Sequence, residues 1–75
     1  MTLHHAPLGG TARIRRLCGD PAVRERLAEL GLTPGQAVRL LRRAPLGDPL
    51  EILVRGYRLA VRRDEADAVE VESGT

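Results

Sequence analysis

The 75-residue sequence predicts a small all-β domain, a partly open barrel of about five strands with one short α-helix inserted after the first strand. Three observations support this fold class. Short segments alternate between apolar and polar residues, glycine and proline separate those segments, and a single stretch has helical spacing. Closing a sheet into a barrel leaves few exposed strand edges, which suits so short a chain. We expect one domain over residues 1–75, with residues 1–9 and 72–75 as flexible ends.

The strands follow from the alternation of apolar and polar side chains. In residues 11–17, Ala12 and Ile14 share one face while arginines and Thr11 occupy the other. Similar alternation predicts strands at 37–43, 50–55, 57–61 and 69–71, with a helical turn at 64–67 before the last of them. Among the turns between them, residues 33–35 have the Thr-Pro-Gly order that a type II turn requires.

The helix is bounded by clear start and stop signals. Asp20 is suited to the N-cap because its carboxylate accepts free backbone N–H groups, and Pro21 fits the first helical position. An apolar stripe follows at Val23, Leu27 and Leu30. Gly31 is placed to end the helix in the left-handed conformation, so that Leu32 folds back onto Leu27.

The composition indicates the cellular setting. Cys18 is the only cysteine, which excludes a disulfide within the chain and suits a reducing cytoplasm. No apolar run approaches the roughly 20 residues that span a bilayer, and the first residues lack the basic start and apolar block of a signal peptide. We therefore expect a cytoplasmic protein that is not itself inserted in a membrane.

The net charge of +2 hides an uneven distribution. Residues 36–63 hold seven arginines against two acids, whereas the chain from Asp64 onward holds five acids and no base. One interpretation is that the two blocks lie in one sheet, where opposite charges on neighbouring strands neutralise each other. The alternative is a basic face that docks on a partner. The arginines of this block are Arg39, Arg42, Arg43, Arg55, Arg58, Arg62 and Arg63.

The sequence holds few reactive groups. Nucleophilic catalysis needs a nucleophile beside an oriented base, and Cys18 has only His4 and His5 as candidate histidine bases, near the chain start. These residues also lack the spacing of a zinc site. We predict no catalytic residues, no metal site and no cofactor beyond weak, adventitious transition-metal binding. Cys18 is interpreted as a small apolar residue, and the roles of His4 and His5 stay open.

Small basic barrels often bind RNA, so a nucleic-acid-binding barrel is an alternative function. Proteins that bind single strands stack the bases on aromatic side chains. Tyr57 is the only aromatic residue of the chain. We therefore expect no nucleic acid partner.

The loop at residues 44–49 is stiffened by two prolines and carries an apolar residue, Leu46, at its tip. A rigid loop loses little entropy when it docks, which favours partner recognition. The alternative, left open by these residues alone, is a stiff connector between two strands.

Three segments resemble a known family. Residues 26–35, RLAELGLTPG, resemble the central signature RL-x-ELGL-x-PG of the FeoA family, and residues 44–49, APLGDP, are similar to that family's loop. The stretch 57–71, with Arg62, Glu65-Ala66 and Val69-Glu70-Val71, is similar to its closing motif. The motifs occur in order and the resemblance covers about residues 10–71. The opening of the chain departs from the usual family pattern, which leaves the role of the first ten residues open.

This resemblance implies an SH3-like β-barrel and a function. FeoA proteins are small cytoplasmic accessory proteins of bacterial ferrous iron uptake that act on the GTPase-bearing permease FeoB, and no catalytic residue or firmly established metal site comes with the family. We therefore expect a non-enzymatic protein that docks on a FeoB-type permease, modulates it, and is recruited to the inner membrane through it. The expected partner-binding residues are Arg42, Arg43, Ala44, Pro45, Leu46, Gly47, Asp48 and Pro49.

A related domain gives the alternative. The SH3-like C-terminal domain of iron- or manganese-dependent repressors shares the signature, which allows a metal-responsive regulatory domain. In those repressors a DNA-binding helix-turn-helix comes first, and no such segment precedes Gly10 here, so the transport accessory is preferred. A free strand edge on a partly open barrel also favours weak self-association.

Overall fold

A computed structural model describes residues 1–72 of the chain. Five strands form one antiparallel sheet in the order β4-β3-β2-β1-β5. The strands are β1 (Thr11–Leu17), β2 (Ala37–Arg43), β3 (Leu50–Val54), β4 (Tyr57–Val61) and β5 (Val69–Val71), and the helices are α1 (Pro21–Glu29) and α2 (Arg63–Asp67). The predicted fold class is confirmed, with α1 inserted after the first strand. The helical turn expected at 64–67 is present as α2.

Both ends of α1 have the predicted caps. The Asp20 carboxylate accepts a hydrogen bond from the Val23 backbone N–H at 3.0 Å. At the other end Gly31 has a φ of +91°, and the Leu32 N–H donates to the Leu27 carbonyl at 3.0 Å. This pattern is a Schellman motif, which satisfies carbonyls that the helix leaves free.

The β3–β4 hairpin is fastened to the end of α1. Its two turn residues, Arg55 and Gly56, have φ of +53° and +84°, as a two-residue type I′ turn requires. The Tyr57 hydroxyl then donates a hydrogen bond to the Leu30 carbonyl at 2.6 Å. The close approach favours a glycine at position 31, because a Cβ there would lie 3.2 Å from the Tyr57 Oη atom, which would have to shift by a few tenths of an ångström.

A single aliphatic core lies between the curved sheet and α1. The inward faces of all five strands contribute to it, and the partly buried Val23 and Leu30 of α1 pack against it. No polar or charged residue within residues 1–72 is classed as buried. The core consists of Leu3, Ala6, Ala12, Ile14, Leu27, Leu32, Val38, Leu40, Leu50, Ile52, Val54, Val61, Ala66, Ala68, Val69 and Val71.

The first residues pack differently from the flexible lead that the sequence suggests. Leu3 and Ala6 belong to the buried core, and Leu3 lies in a 3₁₀ turn over Leu3–His5. The Met1 carbonyl accepts a hydrogen bond from the Val71 N–H at 2.8 Å. The lead is held because its two apolar side chains belong to the core, where the 3₁₀ turn contacts α2 and β5. At the other terminus the N–H of residue 72 donates to the Arg13 carbonyl at 2.9 Å, and the rest of the predicted flexible end, residues 73–75, lies outside the described residues.

The two charge blocks do not neutralise each other across neighbouring strands, so that interpretation was wrong. β5 pairs with β1 and lies at the opposite edge of the sheet from β4. Its Glu70 pairs with Arg16 of β1, and a hydrogen bond from Arg16 lowers the pKa of Glu70. Glu65 of α2 pairs with Arg26 of α1 at 2.9 Å. The acidic segment thus uses arginines from the first half of the chain, which leaves most of the basic block without acidic partners.

Candidate functional site

The loop between β2 and β3, residues 44–49, is a compact structure closed by its own hydrogen bonds. The Ala44 N–H donates to the Pro49 carbonyl at 3.0 Å and joins the two ends of the loop. Within it, the Gly47 N–H donates to the Ala44 carbonyl at 2.7 Å, and Gly47 has a φ of +81° that glycine adopts without strain. These contacts support the predicted stiffness of the loop.

Leu46 stands at the tip of this loop with its side chain in water. It is 91% exposed, and among the large apolar residues the next most exposed is Leu8 at 57%. An exposed leucine alone is unremarkable on a protein surface. Its place at the apex of the loop matters more, because the backbone that carries it is held by hydrogen bonds.

The loop is joined to the end of β4. In the sheet, Arg43 lies opposite Leu50, and Leu50 lies opposite Val61. The chain then turns into α2, where the Arg63 N–H donates to the Asp48 carboxylate at 3.1 Å. The register and this hydrogen bond bring Arg62 and Arg63 to the same end of the barrel as the loop. We call this surface, residues 42–49 with Arg62 and Arg63, the loop end.

The structure separates the two arginines that the sequence analysis placed together. Arg42 is exposed. Arg43 is half-buried, and its Nη2 donates to the carbonyls of His4 and Ala6, both at 2.7 Å, while its Nε also faces the His4 carbonyl at 3.2 Å. The reason is a β-bulge between Leu40 and Arg42, which shifts the register so that Arg43 lies opposite the buried Leu50. Arg43 therefore fastens the N-terminal segment beneath the loop.

His4 lies between the N-terminal segment and the loop. Its Cε1 atom is 4.0 Å from the position that a Cβ would take at Gly47, and its Nδ1 is buried without a hydrogen-bond partner in the structure. The His5 Nδ1 atom lies 3.1 Å from the Thr2 hydroxyl oxygen. Over residues 1–72, no three His, Cys, Asp or Glu side chains come together as a group that could hold a metal ion. Cys18, half-buried, follows β1 and donates its N–H to the Ala68 carbonyl at 2.6 Å.

Two features of this end were missed from the sequence. Arg62 and Arg63 were assigned to the basic block but not to the site, although pairing the predicted third and fourth strands would have brought them to the loop. The sequence gives no signal that the N-terminal segment packs here, because its apolar residues follow neither a helical nor a strand period.

Nearly the whole chain matches one protein family. The FeoA domain profile matches residues 1–73. The chain belongs to the FeoA family. Among curated proteins, an Fe(2+) transport protein A/Fe(2+) transporter FeoB fusion protein from Porphyromonas gingivalis is 33% identical over 72 residues, which cover 96% of this chain and 8% of that relative. The FeoA-family chain thus spans a small part of the length of this fusion protein.

Solved structures of FeoA proteins share the fold. The FeoA protein of Chlorobium tepidum is 41% identical, with a TM-score of 0.87 over 97% of this chain and 70% of that one. The FeoA of Stenotrophomonas maltophilia, complexed with zinc and described as a prokaryotic SH3 domain protein, is 36% identical, with a TM-score of 0.83 over 96% of this chain and 89% of that one. The predicted SH3-like barrel and the family resemblance are both confirmed.

A transcriptional repressor contains the same fold. A manganese-dependent transcriptional repressor superposes with a TM-score of 0.88 at 21% identity, over 97% of this chain and 36% of that one. At that identity the likeness shows the fold alone.

Neither helix within residues 1–72 combines the length and apolar character needed to cross a membrane.

Proposed function

We propose that this FeoA-family chain is a cytoplasmic accessory protein of bacterial ferrous iron uptake that docks on a FeoB-type permease through its loop end and modulates the permease. The proposal rests on the exposed Leu46 at the apex of the hydrogen-bonded loop, residues 44–49. The family and the fused relative support it, because in that relative an Fe(2+) transport protein A and a FeoB transporter form one polypeptide. Attachment to the permease would bring the chain to the inner membrane.

The energetics of the loop suit a docking role. Burying a leucine side chain contributes about 1.5–3 kcal/mol. Most flexible loops lose part of such a gain by becoming ordered, whereas the hydrogen bonds at Ala44 and Gly47 already hold this one. We propose that Leu46 enters an apolar pocket of the permease and that the exposed Arg42 contributes at its margin. Arg43, engaged with the N-terminal segment, supports the loop from beneath.

Binding is tested with Leu46→Asp, which places a charge where the proposal requires an apolar group. We expect this variant to lose capture of the organism's own FeoB-type permease, purified in detergent, by at least tenfold in affinity. Leu46→Met keeps an apolar side chain and should bind within about threefold of the wild type. Ala22→Asp adds the same charge at an exposed position on α1 and serves as the matched control.

The transport role is tested separately in cells. Deleting the gene should lower uptake of ferrous iron at limiting concentration, and the wild-type gene should restore it better than the Leu46→Asp form. Unchanged uptake in the deletion strain contradicts the transport role. Wild-type binding by the Leu46→Asp protein contradicts the assignment of the loop.

A further inference from the structure

Three arginines of the loop end have no carboxylate partner within residues 1–72. Arg42 lies at the end of β2, and Arg62 and Arg63 at the junction of β4 and α2. All three are exposed, and none takes part in an ion pair. They come from two distant parts of the sequence, and the register of β2, β3 and β4 brings them to the same end of the barrel.

The acids nearest to these arginines in the sheet or in the chain form no ion pair with their guanidinium groups. Glu65 accepts the backbone N–H of Arg62 and forms its ion pair with Arg26. Glu51, opposite Arg42 in the sheet, forms an ion pair with Arg58 at 3.5 Å. The Asp48 carboxylate accepts the backbone N–H of Arg63, and the Asp64 carboxylate accepts the backbone N–H of residue 65. Arginines outnumber acids four to three over residues 42–49 and 62–65, and one of those acids, Glu65, is balanced by Arg26 of α1. The surface around Leu46 is therefore positive, with side chains free to meet an external anion.

The three arginines and Leu46 together suit a partner protein with an acidic surface. A guanidinium donates paired hydrogen bonds that match the two oxygens of a carboxylate. At the edge of an interface such pairs add little affinity, but they accelerate association and fix orientation. A central apolar side chain with a charged margin is also the usual anatomy of a protein interface.

We propose that the loop end recognises an acid-rimmed apolar pocket on a partner protein: Leu46 fills the pocket, and Arg42, Arg62 and Arg63 meet carboxylates on its rim. This rests on the proposed function, since it concerns the same surface, and it adds the chemistry that the partner's surface must have. An anionic membrane fits less well. Stable insertion in a bilayer needs several apolar side chains on one face, and the loop offers one leucine in a fixed position.

The test is the association rate of the full chain with the organism's purified FeoB-type permease, measured over a range of sodium chloride concentrations. The wild-type rate should fall steeply as salt rises, because screening weakens long-range attraction. Arg42→Glu and the double variant Arg62→Glu/Arg63→Glu should each slow association at low salt by about tenfold and flatten the salt dependence. Their dissociation rates should change by less than about threefold, since rim charges act mainly on association.

The matched control is Arg55→Glu. Arg55 is an exposed arginine in the turn of the β3–β4 hairpin, at the opposite end of these strands from the loop end. Its replacement changes the net charge as much as Arg42→Glu does. Its association rate should stay within about threefold of the wild type. Equal slowing by Arg55→Glu would show that only overall charge matters, and would overturn the proposal.

The outcomes separate this inference from the proposed function. If the loop-end variants keep the wild-type rate and salt dependence while Leu46→Asp loses binding, the docking site stands and the acid-rimmed pocket is wrong. If the wild-type chain does not bind the permease, both fall. Binding to phosphatidylglycerol vesicles that Leu46→Asp abolishes, without binding to the permease, assigns the surface to lipid and overturns the inference.

Discussion

Replacing Gly31 by alanine tests how the end of α1 is joined to the β3–β4 hairpin. Gly31 has a φ of +91°, where an L-residue costs about 1–2 kcal/mol. The new Cβ would also lie 3.2 Å from the Tyr57 Oη and 3.4 Å from the Arg55 Cδ. Moving the Tyr57 hydroxyl weakens its hydrogen bond to Leu30, a loss of about 1 kcal/mol. Gly31→Ala should therefore lower the free energy of unfolding by about 2–3 kcal/mol.

Gly35→Ala is the matched control. Gly35 has nearly the same φ, +89°, with no atom within 4 Å of its would-be Cβ, so alanine there adds backbone strain alone. Urea unfolding followed by far-ultraviolet circular dichroism should place Gly31→Ala about 1 kcal/mol below Gly35→Ala. In thermal melts the same difference corresponds to about 4–8 °C for a chain of this size.

A double-mutant cycle completes the test. In a Tyr57→Phe background the hydroxyl is absent, so Gly31→Ala should cost no more than Gly35→Ala, and the coupling between positions 31 and 57 should be about 1 kcal/mol. Equal costs for the two glycine variants in the wild-type background, or additive effects at 31 and 57, would refute the reasoning.

The remaining predictions concern the N-terminal segment and acid stability. Arg43→Ala removes the hydrogen bonds to the carbonyls of His4 and Ala6 and should release the N-terminal segment. The Val71 amide, which donates to the Met1 carbonyl, should then exchange with deuterium at least tenfold faster, as measured by mass spectrometry. Unchanged protection of this amide would show that Arg43 does not hold the segment. The hydrogen bond from Arg16 depresses the pKa of Glu70 in the folded state, so its stabilisation is present above the unfolded value of about 4.3 and is lost as the pH falls through the folded one. Glu70→Gln should therefore lower the urea midpoint at pH 7 and converge with the wild type in acid; an equal loss at both pH values would contradict this reasoning.

Local signals were enough to predict α1 and the turns. The N-cap at Asp20, the proline after it and the glycine at 31 each act on backbone groups within a few residues, so their effect survives whatever the rest of the chain does. The order of the strands in the sheet, by contrast, depends on contacts between residues that are far apart in the chain. Nothing near residues 64–72 indicates that β5 pairs with β1, and the neutralisation of the two charge blocks was mispredicted for that reason.

The structure of the candidate site was predicted in part. The stiffness of the loop and the exposure of Leu46 follow from its prolines, its glycine and its place between two strands. The division between Arg42 and Arg43 did not follow, because strict alternation from Val38 and Leu40 places Arg42 inward, and only the bulge at residue 41 reverses the two. Leu3 is buried in a segment that packs on α2 and β5, some sixty residues away in the chain, and no pattern within the first ten residues reveals those contacts.

The core has a consequence for spectroscopy. It contains no aromatic ring, and the one tyrosine of the chain lies outside it, hydrogen-bonded to the last turn of α1. Tyrosine fluorescence therefore reports whether the hairpin is attached to the helix, while the packing of the aliphatic interior is optically silent. A change in emission that precedes the loss of circular dichroism would mark local opening of this one contact within a folded barrel.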